Sequence, residues 1–131
     1  MDIRKAFATS RELEEEGVWV DLGEGARLKI ARIGNPANRD LMRRKMKPHR
    51  TALRADKLPE DILNRITIEV MAETILLGWE GLTEGGQPLP YTRENAIQQL
   101  TELKDFRDQV ADLSQDMTLF QEEREAQATG N

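Results

Sequence analysis

At 131 residues, with 38% apolar and 33% charged side chains, the chain has the length of one domain and material for a modest core. It contains no cysteine, which excludes a disulfide framework, a thiolate metal site and a thiol nucleophile. The net charge of −5 hides a segregation: Arg27 to Lys57 sets eleven basic residues against Asp40 and Asp56, a net +9, while the remainder carries eight basic and 22 acidic residues, a net −14. A chain polarised in this way can pair its halves internally, stack head to tail, or offer the basic strip to a polyanion.

In chain order, Thr9-Ser10-Arg11-Glu12 has the capping-box pattern and predicts a short helix to Glu16, closed by Gly17. Val18, Val20 and Leu22 then alternate with polar or outward residues, as do Leu28 and Ile30, on either side of Gly23-Glu24-Gly25. That periodicity predicts a β-hairpin with one buried face, which helices must cover. Asn35-Pro36 predicts a helix start, and Pro48 ends or kinks that helix near Lys47. Pro59-Glu60-Asp61 opens a long central helix, expected from Pro59 to Leu77 with Trp79 as its last core residue. Gly81 to Pro90 is turn-rich, and Thr92 caps a helix over Arg93 to Thr101. Leu103, Phe106, Val110, Leu113, Met117 and Phe120 recur at heptad spacing and predict one last helix, whose stripe packs into its own core or takes a partner helix. The expected architecture is α+β and predominantly helical: an N-terminal β-hairpin packed on a bundle of about four helices, one domain over residues 1–120, and a polar, frayed tail over 121–131.

No constellation supports an enzyme. His49 is the sole histidine, and Ser10 and Ser114 are the only serines; neither lies in a strand-turn-helix nucleophile setting. Glu69 and Glu73, one helical turn apart, could hold a hard cation, but without a calcium-loop pattern a solvated face is the simpler reading. No catalytic residue, metal site or cofactor is expected, and no apolar run approaches the roughly 20 residues that span a bilayer. The candidate partner-binding residues are the basic Arg39, Arg43, Arg44, Lys47 and Arg50 and the acidic Asp105, Asp108, Asp112 and Asp116. Opposite stripes in one chain favour mutual pairing, within a subunit or between copies. Nucleic acid is disfavoured by the acidic balance and the lack of a recognition helix motif or stacking platform.

Three further segments carry a family likeness. They are Leu13 to Val20 leading into Gly25 to Asn35, then Ala72-Glu73-Thr74-Ile75-Leu76-Leu77-Gly78-Trp79-Glu80-Gly81-Leu82, then Pro88-Leu89-Pro90-Tyr91-Thr92 with Glu94-Asn95-Ala96 and Phe106-Arg107-Asp108. In this order they resemble the tail assembly chaperones of long-tailed bacteriophages and prophages, over about residues 5–120. Trp19, Gly78, Trp79, Gly81, Tyr91 and Thr92 are the structural hallmark of the likeness. The resemblance implies a non-catalytic protein of the host bacterial cytoplasm, absent from the mature virion. It would bind the tape measure protein, assist assembly of tail tube subunits around it, and act as a homo-oligomer. The alternatives are a virion structural adaptor at the head-tail junction or tail end, and a small nucleic-acid-binding regulator.

Overall fold

The computed structural model describes residues 1–122. The chain opens with two short helices, α1 (Ile3–Phe7) and α2 (Arg11–Glu16). Asp2 caps α1 by accepting from the backbone N–H groups of Arg4 and Lys5, and Ser10 caps α2 by accepting from that of Leu13. Strands β1 (Val18–Gly23) and β2 (Ala26–Ile30) follow and pair antiparallel, with Val20 opposite Leu28 and Val18 opposite Ile30. The turn between them places Gly23, Glu24 and Gly25 all at positive φ. Helix α3 (Pro36–Met46) continues through a 3-10 turn (Lys47–His49) into α4 (Arg50–Arg54), and α5 (Glu60–Thr74) is the longest helix. Strand β3 (Leu76–Glu80), a small ribbon β4 (Thr83–Glu84) and β5 (Gln87–Pro88), helices α6 (Arg93–Glu102) and α7 (Lys104–Gln115), and a 3-10 turn (Met117–Phe120) complete the described residues.

The expected arrangement of an N-terminal hairpin on about four helices is therefore corrected. The N-terminus is helical, and β1 and β2 are two strands of a three-stranded antiparallel sheet in the order β1-β2-β3, with β4-β5 forming a second sheet. The third strand comes from the segment read as the end of the central helix. That helix stops at Thr74 because its last polar groups are claimed from outside. The amide of Asn35 donates to the Thr74 carbonyl (3.2 Å), and that of Asn38 donates to the Thr74 hydroxyl (3.0 Å). The Ala31 N–H takes the Ile75 carbonyl (2.9 Å). Leu76 to Glu80 then satisfies its backbone on the free edge of β2, with Leu76 opposite Ile30 and Trp79 opposite Leu28. Hydrophobic content alone could not separate these outcomes, since a short apolar run suits a buried helix end and a buried strand equally.

The last helix is also shorter than its heptad pattern implies. It ends at Gln115; Asp116 is extended and caps the 3-10 turn instead. One face of the sheet, carrying Val20, Leu28, Ile30, Leu76 and Trp79, is covered by Ile68 and Ala72 of α5, Ala96 and Leu100 of α6, Val110 of α7 and the terminal Leu119 and Phe120. A smaller cluster, Leu41 with Ile66 and Val70, fastens α3 to α5. Gln121 donates to the carbonyls of Ala6 and Ala8, tying the chain's last described turn to α1. The rest of the tail expected at 121–131 lies, from residue 123 onward, outside the described residues.

Candidate functional site

The basic face begins with a well-made helix start. Asn35 accepts from the Asn38 N–H (3.0 Å), and Pro36 occupies the first helical position. Leu41 is buried against α5, which fixes the rotation of α3. Steps of four then carry Arg39, Arg43 and Lys47 along the side of α3 away from Leu41. Beyond the 3-10 turn, where His49 at φ −109 and ψ 5 leaves the helical region, α4 adds the exposed Arg50 and Arg54. Arg43 pairs with Asp40 at 3.2 Å. Lys45 lies on the other side and reaches Glu69 of α5 at 2.8 Å. Arg39, Arg44, Lys47 and Arg50 are exposed and make no ion pair among the described residues.

On α7 the apolar stripe is spent mostly on the protein's own core. Val110 is fully buried, and Phe106 and Leu113 pack against the main cluster; Leu103, half exposed at 51%, is the exception. The acidic stripe therefore faces solvent at Asp105, Asp108 and Asp112. Asp108 pairs with Lys104 at 2.7 Å, and that hydrogen bond holds the carboxyl below its ordinary pKa and raises that of the lysine. Asp116 stands apart from the stripe, since its carboxylate accepts from the N–H and hydroxyl of Thr118. Helix α3 packs on α5, α5 on α6 and α6 on α7, and no ion pair among the described residues joins the basic strip to the acidic one.

The hallmark residues fall on the two faces of β3. On the outer face Trp19 lies over Gly78, where a Cβ would meet the ring in ordinary van der Waals contact at 3.6 Å, and the Arg27 guanidinium stacks on Trp19 at 4.2 Å. Arg27 also pairs with Glu80 at 2.7 Å, which raises the arginine's pKa and lowers the carboxylate's. On the inner face Trp79 meets Tyr91 edge-to-face, with centroids 5.1 Å apart. Gly81 is at φ 76, and a Cβ there would collide with the backbone oxygen of Gly25. Thr92 accepts from the Asn95 N–H (2.9 Å) and so starts α6.

Glu69, Glu73 and the two serines have structural employment. Glu69 accepts from Lys45 and Arg65, and Glu73 pairs with Arg93 at 2.7 Å. Ser10 caps α2, while the buried Ser114 donates to the Ala111 carbonyl. One feature escaped the sequence reading: a cleft of about 470 Å³ at the start of α3, bordered by Arg11, Glu14, Arg32, Asn35, Pro36 and Arg39. Arg32 and Glu14 pair across it at 2.6 Å, and Thr9 donates to the same carboxylate. Their separation of 18 residues, on a helix and a loop, follows no periodicity that sequence could reveal.

A family model described as YdaY prophage protein matches residues 33–131. The chain belongs to this family. It is a prophage protein, and the YdaY match takes in both charged faces and the Trp79–Tyr91 pair, whereas α1, α2 and the β1–β2 hairpin precede it. Neither the curated proteins nor the solved structures gave a match. Among the described residues no helix is long and apolar enough to cross a membrane.

Proposed function

We propose that this prophage protein is a non-catalytic tail assembly chaperone, acting in the host cytoplasm on the long helical tape measure protein and left behind when the virion is complete. The observation that carries the reading is the ordered likeness of its three segments to that chaperone family, and prophage origin supports it. The surface offers features suited to such a client. Helix α1 buries none of its residues and exposes Ile3 and Phe7, one helical turn apart. An exposed apolar pair of this kind can cover the apolar face of a client helix until tail tube subunits displace it. The charged faces of α3–α4 and α7 would set the client's orientation rather than supply most of the affinity. Co-expression with the tape measure protein of the same prophage should raise that protein's solubility and give co-purification at moderate salt. Failure of both would overturn the reading.

The runner-up is a structural adaptor retained in the particle. Mass spectrometry of purified virions separates the two: abundant incorporation favours the adaptor. The regulator alternative predicts salt-dependent retardation of DNA by the Arg39 to Arg54 strip.

A further inference from the structure

We propose that copies of this chain associate head to tail, the basic face of α3–α4 on one copy seating against the acidic face of α7 on the next. The inference does not rest on the chaperone reading; it follows from where the fold puts its charge. The two stripes are complementary in sign, yet the α5–α6 pair stands between their helices and no ion pair among the described residues connects them. Arg39, Lys47 and Arg50 on one side and Asp105 and Asp112 on the other are exposed without an ionic partner among those residues.

The stripes also match in length. Arg39 to Lys47 covers about 12 Å of helix and Asp105 to Asp112 about 10 Å, at the α-helical rise. Leu53, 48% exposed beside Arg50 and Arg54, adds apolar surface to the basic side. A second copy suits the basic face better than nucleic acid does. Outside Arg27 to Lys57 the chain carries a net −14, which repels a polyanion but attracts the +9 segment of a neighbour. Because the two contact faces differ, the interface is heterologous and extends into chains unless its rotation closes a ring. Individual exposed pairs contribute little, so the association is concentration-dependent and screened by salt.

The test is sedimentation velocity on three forms of the full chain: wild type, a basic-face variant (Arg39→Gln, Arg43→Gln, Lys47→Gln) and an acidic-face variant (Asp105→Asn, Asp108→Asn, Asp112→Asn). Circular dichroism checks that each is folded. Wild type should exceed twice the monomer mass at about 50 mM salt and return to monomer at about 500 mM, where the Debye length falls to a few Å. Each variant alone should remain monomeric. Their equimolar mixture should recover a dimer and grow no further, since only one intact basic face and one intact acidic face remain in it. A wild type that stays monomeric at low salt overturns the proposal, as do variants that still assemble or a mixture that fails to stop at a dimer. Retardation of DNA by a monomeric wild type, lost in the basic-face variant, would assign that face to nucleic acid instead.

Discussion

Trp79 and Tyr91 lock each other in place by exchanging hydrogen bonds with the backbone on which the other sits. The Trp79 indole N–H donates to the Leu89 carbonyl (2.8 Å), two residues before Tyr91, and the Tyr91 hydroxyl donates to the Leu76 carbonyl (2.7 Å), three residues before Trp79. Their rings stand at 88° to one another. A buried edge-to-face contact is thus enclosed by two polar ties, and the whole turn from β3 to α6 is fastened to the sheet.

Tyr91→Phe keeps the ring contact and removes one tie. It should cost about 1–2 kcal/mol, the usual result of deleting one partner of a half-buried hydrogen bond. Trp79→Ala removes ring, indole N–H and core volume together and should cost about 3–5 kcal/mol. Urea denaturation measures both, and equal losses from the two variants would show that the Trp79 ring and the volume it fills add nothing beyond a single hydrogen bond.

Burial raises the Tyr91 pKa above its ordinary 10.0, partly offset by Arg93. A raised pKa means that the folded state holds its proton more firmly than the unfolded chain. The stabilisation is complete below pH 10 and is lost as pH rises through the folded value. Thermal melts taken from pH 9 upward should show wild type losing stability more steeply than Tyr91→Phe, which has no phenol to ionise. Parallel curves would refute a contribution from this group.

Gly81 and Gly85 both have positive φ, at 76 and 57, but only Gly81 faces a backbone atom where a Cβ would go. Gly85→Ala should cost about 1 kcal/mol, the strain of a left-handed alanine. Gly81→Ala adds the collision with Gly25 and should cost about 3 kcal/mol or more. Comparable urea midpoints for the two variants would mean that the β1–β2 turn yields freely.

These residues also show what sequence could and could not disclose. Helix starts at Asn35 and Thr92 were legible because one side chain caps its own turn, a purely local transaction, whereas the capping-box pattern Thr9 to Glu12 lies one residue ahead of the true cap, Ser10. Strand β3 was not, because its choice between helix and sheet depends on Asn35, Asn38 and Ala31, 36 to 44 residues away from the groups they hold. The same limit applies to the charged stripes. Helical spacing gave the alignment of Arg39 with Arg43 and of Asp105 with Asp108, yet where the two helices lie relative to one another is a tertiary fact. Asp116 looked like a member of the acidic stripe by spacing alone, and the end of α7 at Gln115 gave it a cap to make instead.

Glu80 provides the acid-side counterpart to Tyr91. Its pKa is lowered by the hydrogen bond from Arg27, so its contribution is present above the carboxylate's ordinary 4.5 and is lost as pH falls through the folded value. Glu80→Gln should flatten the acid limb of a stability profile below pH 5 and lower stability at pH 7 by the same amount, which is small because the pair is exposed. Identical acid limbs for the two proteins would remove Glu80 from the account.

Asn35 performs two tasks that one substitution can separate. Its side-chain oxygen caps α3 through the Asn38 N–H, and its amide nitrogen donates to the carbonyls of Arg32 and Thr74. Asn35→Asp retains the capping oxygen, and at an isolated helix start aspartate would serve as well as asparagine. Here it also loses both donors and directs a carboxylate at two carbonyl oxygens in a buried position. Asn35→Asp should therefore be at least as damaging as Asn35→Ala, each costing about 2–3 kcal/mol in urea denaturation. The loss should fall on the junction of α5 and β3, where hydrogen exchange of the Leu76 to Glu80 amides would quicken. A tolerated Asn35→Asp would mean that capping alone maintains this residue, and that the Thr74 contact does not end the central helix.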